Sequence, residues 1–78
     1  MSAGRDLDAR GWLEAYAEAL GLEPPSKEDV ERLLALAGVA AHASERQAAP
    51  VSCWLAAVAG VDPARALTVA RELAERQR

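Results

Sequence analysis

The chain has 78 residues, no Phe or Ile, one Cys, one His and a formal net charge of -3, enough for a single domain over 1–78 where typical domains run to about 100 to 150 residues. A calculated pI of about 5.0, with no run of basic residues, argues against nucleic acid as a partner, because phosphate neutralisation calls for a positive surface. One Cys forbids an internal disulfide, and one Cys with one His cannot complete a four-ligand zinc site, so no metal or cofactor is expected.

The first helix is expected over about 8–20. Asp8 has the position of an N-cap, with Leu7 and Trp12 spaced as a hydrophobic staple around it. Trp12, Leu13, Tyr16, Ala17 and Leu20 repeat at three and four residues, Glu14 and Glu18 fall outside that stripe, and Gly21 offers a left-handed stop. Leu22 to Pro25 forms a stiff connection, after which Ser26 and Asp29 make a variant capping box for a second helix, about 27–47. Its apolar face is Val30, Leu33, Leu34, Ala37 and Ala41. From Leu33 to Ala41 the sequence is apolar on every side, the pattern of a helix surrounded by protein. Small residues at Ala37, Gly38 and Ala41 would let another helix come close.

Pro50 cannot sit deep in a helix without clashing with the carbonyl of Arg46. Either the second helix runs to about Gln47 and Pro50 opens the third in its first turn, the reading adopted, or Ser44 and Gln47 form a capping box and Pro50 kinks the helix they start. The third helix, about 50–59 with Gly60 as its stop, presents Val51, Trp54, Leu55 and Val58 and carries no charge; it must be buried or lie in an interface. Asp62 and Pro63 give an N-cap and a first-position proline for the last helix, about 63–77. Ala66, Leu67, Ala70, Leu73 and Ala74 form its buried stripe, and Arg65, Arg71, Glu72, Glu75 and Arg76 its outer face. The expected fold is therefore all-α, a compact four-helix domain with the second and third helices central.

Of 40 hydrophobic residues 19 are Ala, so the core is thin and oligomerisation would supplement it. The N-terminus has no apolar signal segment, and the longest uncharged stretch, Gln47 to Val61, falls short of the roughly 20 apolar residues that cross a bilayer. A cytoplasmic protein without a membrane partner is expected.

Functional-looking side chains concentrate in His42-Ala43-Ser44-Glu45-Arg46-Gln47. On a continuous helix His42, Glu45 and Arg46 share one face. Structurally, Arg46 would neutralise the carbonyl end of the second helix and pair with Glu45, with His42 completing the network; functionally, His42 and Arg46 would hold a phosphate or carboxylate. The structural use is favoured, because buried polar groups are normally hydrogen-bonded partners first. A buried Glu45–Arg46 pair would make Arg46→Ala cost about 3 to 5 kcal/mol. Cys53 reads as a small core residue. Trp12 and Tyr16 could stack on a planar ligand, but at helical spacing they read as core, and Leu36 and Trp54 join them as core or interface positions. No nucleophile, base and orienting group occur together, so no catalytic residue is assigned and stand-alone catalysis is not expected.

The pattern Ala41-His42, Glu45-Arg46, Ala48-Ala49-Pro50, following Trp12-Leu13 and Tyr16, resembles a small bacterial helical family of unknown function whose members carry A-H-x-x-E-R-x-A-A-P after W-L-x-x-Y. The likeness runs from about Trp12 to Leu73. Members occur alone or fused to nucleotidyltransferase domains similar to those that attach GMP to the molybdenum cofactor. The resemblance implies an accessory role near molybdopterin guanine dinucleotide synthesis and a nucleotidyltransferase as partner. It implies no activity for this chain, whose Val51-Ser52-Cys53-Trp54 departs from the family's usual stretch after the proline and puts a shared ligand in doubt. The expected function is a non-catalytic accessory or protein-interaction module that self-associates. The alternative is a binding domain for a small anion, nucleotide or pterin cofactor that uses His42 and Arg46.

Overall fold

The computed structural model describes residues 8–77; the Leu7 staple lies outside them. Four helices follow in order: α1 (Ala9–Ala19), α2 (Lys27–Ala43), α3 (Ala48–Ala59) and α4 (Pro63–Arg76). Among the described residues there is no strand, and the all-α, four-helix reading holds. The principal dimensions are 49, 23 and 19 Å.

Each helix start is fixed by a short side chain that accepts from an otherwise unpaired amide. Asp8 Oδ1 accepts from the Gly11 amide at 2.7 Å, Ser26 Oγ from Asp29 at 3.0 Å, and Asp62 Oδ1 from Arg65 at 2.8 Å. The exception is α3, whose first residue follows Gln47 without a side-chain cap. The capping box at Ser26 is half formed, since the Asp29 carboxylate meets Arg32 at 3.5 Å instead. Two helix ends follow the glycines. Gly21 and Gly60 have φ of 77° and 76°, and Leu22 and Val61 donate back to Ala17 and Ala56, the paired-bond closure that a left-handed glycine permits.

The junction of α2 and α3 differs from expectation. α2 stops at Ala43, four residues early, and Ser44 leaves the helix with φ -138° and ψ -106°. A turn comes next, in which the Ala48 and Ala49 amides donate to the carbonyls of Glu45 and Arg46. α3 then starts at Ala48, so Pro50 lies in its first turn, where a missing N–H costs no intrahelical bond. The break has to precede Pro50, because a continuous helix would drive the proline ring into the Arg46 carbonyl.

α2 packs against both α3 and α4. Leu36 of α2 (4% exposed) and Ala66 and Leu67 of α4 form the buried cluster, with Leu33, Val39, Cys53, Ala56 and Ala70 partly buried around it. Ala70 and Ala74 of the expected α4 stripe are half-buried and Leu73 is exposed, while the charged side chains named for its outer face all lie outside. α2 is not enclosed on every side: Leu34 is 67% exposed. At Gly38 an added Cβ would meet nothing within 4 Å, so among the described residues no helix comes close at that position.

α1 corrects a second expectation. Its buried residue is Ala17, beside a half-buried Leu13, and a cleft lined by Arg10 and Leu13 on one side and Lys27, Val30 and Glu31 on the other runs along α2. Trp12 and Tyr16, read as core, are 56% and 51% exposed. The reason is angular: about 100° of rotation per residue puts Leu13 and Ala17 on one edge of the apolar stripe. That edge faces the body and leaves the two rings on the other.

Candidate functional site

His42 stands in the last turn of α2, Glu45 in the link and Arg46 in the turn before α3. All three are exposed. Among the described residues, none of their side chains makes a hydrogen bond or ion pair. The break after Ala43 takes Glu45 and Arg46 out of the helical register that would have stacked them on His42. A buried Glu45–Arg46 pair is therefore absent.

His42 lines a groove of about 480 Å³ with Gly38, Val39 and Ala43 of α2 and Ala74 and Gln77 at the end of α4. A neighbouring groove of about 420 Å³ reaches from Leu36 and Ala43 across Ser44, Ala48 and Ser52 to Leu73. Both walls are mostly small and apolar, and Arg46 lines neither. The arrangement thus offers one imidazole, two hydroxyls and an amide, without the converging cations that hold a phosphate by charge-assisted bonds.

Cys53 lies half-buried on the inner side of α3, its Sγ 3.9 Å from the Leu33 carbonyl oxygen. Desolvation pushes the thiol's pKa up, so it stays protonated at neutral pH and is a poor nucleophile. No group of three His, Cys, Asp or Glu side chains placed to hold a metal occurs among the described residues. Among them, too, no helix is long and apolar enough to cross a membrane.

What the surface does offer is apolar area. On α3, Val51, Trp54, Leu55 and Val58 are all more than half exposed, with Trp54 at 64%. Their spacing of three, four and seven puts them on one face, opposite the inward Cys53 and Ala56. On α1, Trp12 and Tyr16 stack with ring centroids 5.8 Å apart and planes 13° from parallel, and exposed Leu20 continues their line. The salt-bridged Arg10 and Glu14 (3.2 Å), with Glu18, stand roughly opposite on a helix turning about 100° per residue. The absence of charge in α3 is visible in the sequence. The α1 face is not, because the same residues would form a core stripe if α1 were rotated by part of a turn.

A family model described as a domain of unknown function (DUF6457) matches residues 5–78, so the chain belongs to that family. No curated protein and no solved structure matches it.

Proposed function

We propose that this member of the family is a non-catalytic interaction module that works by self-association. The observation that supports it is the exposed apolar surface of α1 and α3, with Trp12, Tyr16 and Trp54 all more than half exposed. Contiguous exposed apolar patches mark interaction sites, and Trp and Tyr are the side chains that most often dominate binding energy at interfaces. Their burial in a complex would also supply apolar contact that a core of Leu36, Ala66 and Leu67 lacks.

The finer reading makes the module an accessory to a nucleotidyltransferase of the molybdenum-cofactor type. It is supported by the A-H-x-x-E-R-x-A-A-P pattern at Ala41 to Pro50, and co-elution of the chain with such an enzyme is its check. For self-association the test is multi-angle light scattering over a hundredfold range of concentration. A mass that rises from one chain toward a defined multiple is the expected outcome, and a monomer at the highest concentration overturns the reading.

A further inference from the structure

The two uncovered stripes are alike in length and chemistry. α1 has 11 residues and α3 has 12, about 16 and 18 Å of helix at 1.5 Å per residue. α3 carries no charged side chain, and the charges of α1 lie away from its aromatic face, so neither stripe would strip water from an ion on contact.

We propose that the partner is a second copy of this chain, bound through reciprocal contacts in which α1 of each copy lies on α3 of the other. This rests on the self-association reading and specifies its geometry. Area decides between this arrangement and a simple pairing of α3 with α3. The exposed parts of Val51, Trp54, Leu55 and Val58 amount to roughly 440 Å². Two such faces bury about 900 Å² in total, short of the roughly 1,200 Å² at which stable interfaces begin. Adding Trp12 and Tyr16 of α1, Leu20 at its end and Leu22 just beyond it, all more than half exposed, about doubles the area and brings the total into that range. The exchange is isologous: α1 meets α3 twice about one two-fold axis, and the assembly closes at two copies. In it the stacked rings of Trp12 and Tyr16 cover Val51, Trp54 and Val58 of the other chain.

A complementation experiment tests the geometry separately from self-association. Light scattering is recorded for the wild type, for Trp12→Glu, for Trp54→Glu and for an equimolar mixture of the two variants, with circular dichroism confirming that each keeps its helices. The wild type is expected to be a dimer, and each variant alone to dissociate at least tenfold more readily, since every one of its contacts carries a glutamate. The mixture is expected to associate more tightly than either variant alone and more weakly than the wild type, because α1 of the Trp54→Glu chain and α3 of the Trp12→Glu chain form one intact contact, while the other contact, already broken by one glutamate, loses little more to a second. A dimer broken by Trp54→Glu but untouched by Trp12→Glu overturns the exchange and leaves self-association standing, as does a mixture that associates no more tightly than the variants alone. A monomeric wild type overturns both. Should either variant lose helicity, Tyr16→Glu and Val58→Glu carry the same comparison.

Discussion

Arg46 shows how far a single residue's role depends on the register of the backbone beneath it. At helical spacing Glu45 and Arg46 would lie against His42, and that spacing made a buried network plausible. The structure ends α2 at Ala43 and leaves all three side chains exposed. Arg46→Ala is therefore expected to change stability by no more than about 0.5 kcal/mol, the usual range for a surface substitution away from special features. Calorimetry on the variant checks this, and a loss of about 3 to 5 kcal/mol would restore the buried pair. The difference has a physical origin. Pro50 fixes only that a helix must break upstream of it, and a break at Ser44 separates residues that a break at Gln47 would have kept together.

At the scale of the helix the caps were legible, because an N-cap or a glycine stop is a contact between atoms a few residues apart. Asp8, Ser26, Asp62, Gly21 and Gly60 all take the roles their positions suggest. Their consequences differ with what each helix touches. α4 contributes Ala66 and Leu67 to the buried cluster, so Asp62→Ala is expected to cost about 1 kcal/mol of global stability. α1 contributes no side chain to that cluster. Asp8→Ala is thus expected to speed amide hydrogen exchange in α1 and leave exchange around Leu36 nearly unchanged, as for a unit that opens locally. Equal acceleration in α1 and α2 would show instead that α1 folds cooperatively with the body.

For the molecule as a whole the decisive quantity is how little is buried. Leu36 is the one buried side chain of α2, and its cluster joins the three helices α2, α3 and α4. Leu36→Ala is expected to cost about 2 to 5 kcal/mol. Against the roughly 4 to 12 kcal/mol that 78 residues provide at about 0.05 to 0.15 per residue, that is a large share. Denaturant unfolding checks it, and a loss below about 1 kcal/mol would mean that the core lies elsewhere. If copies associate, the same melts depend on protein concentration, because binding to the folded state stabilises it by mass action.

The sequence by itself determined the class and number of elements: an Ala-rich, β-branch-poor chain punctuated by Asp8, Ser26, Asp62, Gly21, Gly60 and its prolines reads as four helices, since propensity and capping act within a turn or two. It also marked α3 as a helix without charge that has to be covered by something. Only the tertiary structure decided which apolar residues are covered within one chain. Burial is settled by contacts between segments far apart in sequence, and a one-residue difference in where a helix ends turns the next side chains by about 100°. That is why Leu36 is enclosed while Leu34, two residues away, is two-thirds exposed, and why the aromatic pair of α1 lies on the surface.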